Sequence, residues 1–285
     1  MTALPDIVGV IGGGRMGAGI AQVFAAAGST VTIVEANQHA ATAARDRVAA
    51  GLARAAEKSS LRNDPREHLD RVSAVTSLEE LPVNARLVIE AVPESISQKI
   101  AVLAAVEKVV AANAVLASNT SSLSIAELAT ALDFPHRLLG MHFFNPVPAS
   151  ALIEIVRGPH TGAGVLKVVL DWTHKLGKCS VVVRDSPGFA TSRLGVALGL
   201  EAIRMLEEAV ADAESIDRAM ELGYRHPMGP LRSTDLVGLD VRLAIAEHLH
   251  TALGERFRPP QLLRDKVSRG ELGRKTGHGF FQWPK

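Results

Sequence analysis

Short apolar runs alternate with longer amphipathic segments over the first two thirds of the chain. Runs rich in Val and Ile predict strands near residues 7–11, 30–35, 87–91, 115–118, 138–142, 152–156 and 180–183. The Ala-rich segments between them predict helices at 16–27, 40–57, 96–111 and 164–176. This alternation predicts an α/β fold around a mostly parallel sheet, in which ligand sites lie at the carboxyl ends of the strands.

The pattern changes at residue 185, where the chain reads Asp-Ser-Pro-Gly and strand-like runs stop, except at most in the final few residues. Three helices are predicted beyond this point: one with apolar positions at 194, 198, 202 and 205, one at 212–222, and one that opens at 233 and runs toward 253. We therefore expect two domains, residues 1–185 and a smaller all-helical domain at 186–285. The helical domain is expected to contribute to the substrate pocket and, because its apolar helices can cover a second copy, to form a homodimer.

Composition narrows the function classes. The 285 residues include 31 Lys and Arg against 30 Asp and Glu, a net charge of +1, so no basic excess exists to bind nucleic acid or an anionic membrane. No apolar stretch reaches the roughly 18 residues that span a bilayer. The chain enters a strand-like run at residue 6 without the basic and hydrophobic segments of a signal peptide. We expect a cytoplasmic protein with neither a nucleic-acid nor a membrane partner.

The single cysteine, Cys179, excludes an internal disulfide and a multi-thiolate zinc site. It lies in the apolar run Cys-Ser-Val-Val-Val, which predicts a buried strand residue rather than a reactive thiol. His248 and His250 stand two apart in a predicted helix and so point to different faces. No metal site is predicted.

The segment GGGRMG at 12–17 follows the first predicted strand and precedes an Ala-rich helix. It contains the G-x-G-x-x-G pattern in which the first glycine permits the turn, the second lets a pyrophosphate approach, and the third lets helix and strand pack closely. We expect a Rossmann-type dinucleotide-binding domain whose phosphate loop consists of Gly12, Gly13, Gly14, Arg15, Met16 and Gly17. The competing interpretation is a glycine-rich turn without a ligand.

The next predicted strand ends in Glu35, at about the 20-residue spacing that this motif requires. A carboxylate there can accept hydrogen bonds from both ribose hydroxyls of an adenosine, and it would repel a 2′-phosphate. The three residues just after Glu35, Ala36-Asn37-Gln38, include no arginine to bind such a phosphate, although His39 is nearby. NAD is therefore predicted as the cofactor in preference to NADP.

A nicotinamide cofactor needs a partner that moves a proton while hydride moves, and a histidine held by a carboxylate suits this near neutral pH. His142 ends one predicted strand and Glu154 follows in the next. Two neighbouring strand ends would bring the imidazole and the carboxylate together. The alternative is a buried histidine that is hydrogen-bonded for structural reasons.

The segment SNTSS at 118–122 follows another predicted strand and offers many hydrogen-bonding groups where ligands of such sheets bind. The alternative interpretation is a helix cap, because Ser124 and Glu127 have the spacing of a capping box. Both roles are compatible, with Ser124 in the cap and Ser121 in the site.

Together these segments closely resemble the L-3-hydroxyacyl-CoA dehydrogenases, and within them the short bacterial members that act on 3-hydroxybutyryl-CoA. The resemblance runs through essentially the whole chain in order. The motifs that carry it are GGGRMG at 12–17, IEAVPE at 89–94, SNTSS at 118–122, GMHFFNPVP at 140–148, DSPGF at 185–189, HPMGP at 226–230 and GRKTGHGF at 273–280.

The resemblance implies roles for individual residues. His142 would be the general base toward the 3-hydroxyl, Glu154 its orienting carboxylate, and Ser121 a hydrogen-bond partner of the substrate oxygen. Contacts to NAD or to its pocket would come, beside the glycine loop and Glu35, from Glu94, Lys99, Ser121, Asn145 and Lys275. Lys58 matches a basic position that meets the CoA phosphates and Arg54 lies one turn earlier, although both also fit a solvated helix face.

One position departs from the family pattern. After Pro-Gly-Phe the family usually has an Asn before the Arg, near the thioester end of the substrate, whereas this chain has Ser192 before Arg193. A serine is shorter and lacks the second function of the amide. We therefore expect Ser192 to affect acyl specificity more than reaction type.

The reaction expected from the resemblance is reversible, NAD-dependent oxidation of an L-3-hydroxyacyl-CoA, above all 3-hydroxybutyryl-CoA, to the 3-ketoacyl-CoA. One alternative is a dicarboxylic substrate such as 3-hydroxyadipyl-CoA. Another is a catalytically silent NAD-binding or structural protein, although such a protein would not need both members of a proton-transfer pair.

Overall fold

A computed structural model describes residues 2–58, 61 and 64–284 of the chain. The chain divides into two compact units, Met1–Asp185 and Ser186–Lys285. The first is built on a sheet with helices on it, and the second is helical. Each has an apolar core of its own, centred on residues such as Ile33 and Trp172 in the first unit and Leu200 and Leu249 in the second.

The described residues of the first unit form an eight-stranded sheet in the order β3-β2-β1-β4-β5-β6-β7-β8. All neighbouring strands run parallel except β6 and β7, which are antiparallel. The chain leaves β1 toward β2 and β3 and returns to β4 on the other side of β1, which is the switch point where Rossmann-type sheets bind dinucleotides. The strands are β1 (Ile7–Ile11), β2 (Thr30–Val34), β3 (Val72–Val75), β4 (Leu87–Glu90), β5 (Val115–Ser118), β6 (Leu138–Phe143), β7 (Leu152–Arg157) and β8 (Cys179–Arg184).

The helices begin where the sequence supplies a capping residue or a break. Asn37 caps the second helix by accepting from the Ala40 amide, and Asp212 caps a later helix by accepting from the Ser215 amide. The first unit contains α1 (Arg15–Ala26), α2 (Gln38–Glu57), α3 (Pro65–Leu69), α4 (Ile96–Val109), α5 (Ile125–Leu128) and α6 (Ala163–Lys175). The second contains α7 (Thr191–Glu207), α8 (Ala213–Gly223), α9 (Pro230–Val237), α10 (Leu239–Leu253) and α11 (Gln261–Ser268).

Several elements differ from the sequence-based prediction, among them α3 and α11, which were not predicted. Strand β3 was not predicted: of its residues Val72–Val75 only Val72 is buried, and the strand is defined by its pairing with β2. The helix predicted from 233 toward 253 is in fact two helices that meet at Gly238, whose φ of +107° no continuous helix accommodates. The first of them, α9, starts at Pro230, where the buried Asp217 accepts from the amides of Leu231 and Arg232.

Cys179 is exposed, so the prediction of a buried cysteine was wrong. It begins β8, which pairs with β7 at the end of the sheet that the described residues form. Almost every residue of this strand is exposed, including Val181 and Val182. An apolar run predicts a strand, but whether that strand is covered depends on the layer packed against it.

No helix in the described part of the chain is long and apolar enough to cross a membrane. Within residues 2–58, 61 and 64–284, no group of three or more His, Cys, Asp or Glu side chains is arranged to hold a metal ion.

Candidate active site

The glycine loop connects β1 to the start of α1. Gly12 has a φ of +92°, and a Cβ on Gly17 would lie 1.8 Å from the Gly12 carbonyl oxygen, so the fold itself requires both glycines. Gly14 differs, because a Cβ there would meet nothing within 4 Å. As the N-cap of α1 it has no side chain to occupy the helix amides, and the first turn, with Arg15 and Met16, contains no acid. The loop therefore leaves open space at the N-terminus of α1, where the backbone amides carry a partial positive charge. This space fits the pyrophosphate of a dinucleotide.

Two charged side chains hold the backbone of Gly13, one at its amide and one at its carbonyl oxygen. Glu35, directly after β2, accepts from the Gly13 amide at 2.6 Å. Arg47 of α2 donates from Nη1 to the Gly13 carbonyl oxygen at 3.2 Å. The structure thus brings Glu35 to the loop, as a ribose-binding carboxylate requires. Arg47 was missed, although its spacing of seven from Arg54 along one helix could have identified it.

His142 and Glu154 form a buried pair near the carboxyl end of β6. They stand directly opposite each other in the antiparallel β6–β7 ladder, and Nδ1 of His142 lies 2.8 Å from Oε2 of Glu154. His142 is 7% exposed and Glu154 is completely buried. A carboxylate at Nδ1 favours the tautomer protonated there, which gives Nε2 the lone pair that can take up a proton. The structure brings the two predicted residues together.

Ser121 lies in the loop after β5, and Glu94 holds that loop. Oε1 of Glu94 accepts from the Thr120 hydroxyl at 2.5 Å, from the Ser121 amide at 2.9 Å and from the Ser121 hydroxyl at 3.3 Å. Burial alone would raise the pKa of Glu94, but the charge of Lys99 and these hydrogen bonds outweigh it and lower the pKa. Ser124 accepts from the Glu127 amide, which is the predicted cap.

Lys99 is buried under this loop. It is 1% exposed, and its ammonium lies 2.6 Å from Oε1 of Glu90, 3.1 Å from the Val92 carbonyl oxygen and 3.3 Å from Oε2 of Glu94. Lys99 therefore shapes the loops at the ends of β4 and β5 rather than facing outward. Glu90, the completely buried partner, was missed, and its only signal was a charged residue ending the apolar run Leu-Val-Ile-Glu.

A cavity of about 690 Å³ lies in the first unit beside α1 and α2. The predicted CoA residues Arg54 and Lys58 line it, as do Arg15 and Arg47, and no acidic side chain occurs among its described lining residues. The segment 145–149, which begins with the exposed Asn145, also lines the cavity. Lys178 holds this segment by donating to the carbonyl oxygens of Val147 and Ser150.

The remaining predicted site residues lie in the second unit. Ser192 is half-buried in the first turn of α7. Lys275 lies between α11 and the C-terminus. Its side chain is 45% exposed, and its ammonium is 2.5 Å from Oδ2 of Asp240.

Comparison with known proteins assigns the class of protein that this fold and site define. Residues 7–186 match the family model of the 3-hydroxyacyl-CoA dehydrogenase NAD binding domain, and residues 188–283 match that of the 3-hydroxyacyl-CoA dehydrogenase C-terminal domain. The chain belongs to the 3-hydroxyacyl-CoA dehydrogenase family. The predictions of an NAD-dependent oxidoreductase, and of a Rossmann-type domain followed by a helical one, are confirmed.

Individual relatives agree over nearly the full length. A probable 3-hydroxybutyryl-CoA dehydrogenase of Bacillus subtilis is 42% identical over 276 residues, which cover 96% of each chain. A 3-hydroxybutyryl-CoA dehydrogenase of Mycobacterium tuberculosis is 41% identical over 280 residues, 97% of this chain and 98% of the relative. The crystal structure of (S)-3-hydroxybutyryl-CoA dehydrogenase from Ralstonia eutropha superposes with a TM-score of 0.93 at 39% identity, covering 99% of this chain and all of that one.

Proposed function

We propose that this protein oxidises the 3-hydroxyl group of an L-3-hydroxyacyl-CoA, with 3-hydroxybutyryl-CoA as the first candidate substrate, and that the reaction is reversible. The observation that carries the proposal is the buried His142–Glu154 pair, 2.8 Å apart near the carboxyl end of β6. The relatives named 3-hydroxybutyryl-CoA dehydrogenase support the choice of substrate.

Bound NAD would supply the chemistry of hydride acceptance from C3. Nε2 of His142 removes the hydroxyl proton, and the Glu154 carboxylate stabilises the imidazolium that forms. Ser121, whose amide and hydroxyl donate to Glu94, is proposed to hydrogen-bond the substrate oxygen. In the reverse direction the same imidazolium returns the proton to the ketone oxygen.

The cavity beside α1 and α2 is proposed as the site for the CoA moiety. Its four cations, Arg15, Arg47, Arg54 and Lys58, suit a ligand that carries several phosphate charges. In the second unit we propose that Ser192 faces the acyl end of the substrate and that Lys275 contacts the cofactor.

Two further proposals rest on the sequence. The helical second unit is proposed to form a homodimer, and light scattering that gives a monomer mass would contradict this. A cytoplasmic location stays a prediction.

The test is NADH formation, followed by absorbance, with L-3-hydroxyacyl-CoA esters from short to long and one dicarboxylic ester. We expect the highest kcat/KM with the four-carbon ester. We expect no NADH formation with its D isomer. A preference for the dicarboxylic ester would move the assignment to that class. Measurable NAD binding without turnover of any ester would favour a silent binding protein.

A further inference from the structure

Glu90 is a completely buried acid that the proposed mechanism does not use. It is the last residue of β4 and stands beside Ser118, the last residue of β5. Oε2 of Glu90 accepts from the Ser118 hydroxyl at 2.6 Å, and Oε1 accepts from the Val92 amide at 2.7 Å and from the Lys99 ammonium at 2.6 Å. Such a fully bonded carboxylate fixes the ends of two neighbouring strands.

Through Lys99 this carboxylate is connected to the loop that carries Ser121. The Lys99 ammonium also lies 3.3 Å from Glu94, which accepts from both the amide and the hydroxyl of Ser121. Two carboxylates thus share one ammonium, and the cluster Glu90–Lys99–Glu94 has one uncompensated negative charge. Glu90 and Lys99 are shielded from water, whereas Glu94 is 38% exposed, so solvent screens that charge only in part.

The cluster lies along the path of the cofactor. In the sheet, β4 and β5 separate β1, which precedes the glycine loop, from β6, which carries His142. A Cβ on Gly12 would lie 2.9 Å from the carbonyl oxygen of Ala91, the residue after Glu90. At the other end, the side chain of Asn119 accepts from the amide of Phe143 at 2.9 Å. A dinucleotide that reaches from the glycine loop to His142 therefore crosses the strand ends that the cluster holds.

We propose that Glu90 is a positioning residue that holds Lys99, Glu94 and Ser121 in place, and that its charge strengthens the binding of NAD⁺ relative to that of NADH. The inference rests on the proposed function in one respect, namely that the nicotinamide lies near Ser121 and His142. The oxidised ring carries a positive charge and the reduced ring does not. A net negative cluster nearby therefore stabilises only the oxidised form.

The test is Glu90→Gln, which keeps an oxygen acceptor and removes the charge. We expect the Kd of NAD⁺ to rise about fivefold and the Kd of NADH to change less than about twofold, because only one ring is charged. The two constants come from NADH fluorescence titration and from competition by NAD⁺, without acyl-CoA. Equal changes in both constants, or none in either, would overturn the proposal.

The matched control is Glu107→Gln. Glu107 is also a buried glutamate in an ion pair, 3.2 Å from Arg137, and it accepts from the amides of Asp133 and Phe134 rather than from the site loops. This variant should lose stability without any change in the ratio of the two constants. If its ratio moves as much as that of Glu90→Gln, the effect comes from loss of a buried pair and the proposal fails.

If Glu90→Gln does not fold, Glu94→Gln decides, because it removes the same unit charge and leaves the Glu90–Lys99 pair intact. An unchanged ratio in that variant would contradict the proposal. Turnover of hydroxyacyl-CoA by the wild type is a separate measurement. An inactive wild type whose ratio still responds would refute the proposed function alone, and an active one whose ratio does not respond would refute this inference alone.

Discussion

Both units bury acidic side chains, but they bond them to different partners. In the first unit Glu90 and Glu154 bind the ionisable groups of Lys99 and His142. In the second unit Asp235 accepts from the amides of Phe280 and Phe281 and from the Trp283 indole, at 2.8 to 2.9 Å. A buried acid whose partner can change its charge can take part in proton transfer, whereas one that is bonded to amides and an indole holds the backbone.

The largest effect is expected when the His142–Glu154 pair of the first unit is broken. His142→Gln should lower kcat by about 10² to 10⁴-fold, the usual contribution of a general base. The Kd of NAD⁺ should stay nearly the same, since the glutamine amide can still donate to Glu154. NADH formation under saturating substrate measures this.

His174→Gln, at an exposed position of α6, is the control and should be silent. Turnover of His142→Gln at the wild-type rate would place the proton-transfer group elsewhere.

The next largest effect is expected when the contacts of Asp235 in the second unit are broken. Asp235→Asn should lower the free energy of unfolding by about 2 to 3 kcal/mol. The NH₂ group of the asparagine would face the backbone amides and the indole N–H that now donate to Asp235, and a buried donor would lose its acceptor. Urea unfolding measures the loss.

Asp212→Asn is the matched change. Asp212 is an exposed N-cap that accepts from the Ser215 amide, and asparagine caps a helix as well as aspartate does, so the cost should be below about 0.5 kcal/mol. Equal costs at the two positions would mean that burial of the acid is unimportant.

A smaller effect is expected at the exposed cations Arg54 and Lys58 of the cavity. The double change Arg54→Met and Lys58→Met should raise the KM for acyl-CoA about tenfold with little change in kcat. Added salt should reduce the difference in KM between the variant and the wild type. Steady-state kinetics at low and high salt test this. Arg71→Met, on an exposed turn outside the cavity, removes a charge without touching the site, and an equal rise in KM there would argue against a CoA site in the cavity.

The smallest effect is the pH dependence of two acids with opposite shifts. The pKa of Glu94 is lowered, so its contribution to stability is present above pH 4.5 and is lost as the pH falls. Burial raises the pKa of Asp217 against the pull of two amides, so its contribution is present below pH 3.8 and is lost as the pH rises through the raised value.

Chemical unfolding across acid pH measures both. Relative to Glu94→Gln, the wild type should lose stability as the pH falls, by less than about 1 kcal/mol because Glu94 is partly exposed. Relative to Asp217→Asn, the wild type should gain stability over the same range. Slopes of the same sign would contradict the assignment.

Local periodicity was enough to predict the Rossmann-type fold, the helical second unit and most of the elements. The glycine loop and Glu35 were also readable, because backbone conformation and a fixed spacing after one strand define them. Hydrophobic periodicity did not predict three features of the structure. Strand β3 is defined by its pairing with β2, and Gly238 divides a predicted helix into two. Cys179 is exposed because its strand lies at the edge of the sheet.

The chemistry of the site divides in the same way. His142 and Glu154 could be selected from the sequence because each lies on a strand at the edge where ligands bind. Their contact depends on the β6–β7 register, which places them opposite each other. The network of Glu90, Lys99 and Glu94 connects two strand ends and a helix. The sequence alone therefore determined the cofactor class, and it selected the two residues that are proposed to move a proton. The tertiary structure decided which charges meet, because strand order and register join residues that are far apart along the chain.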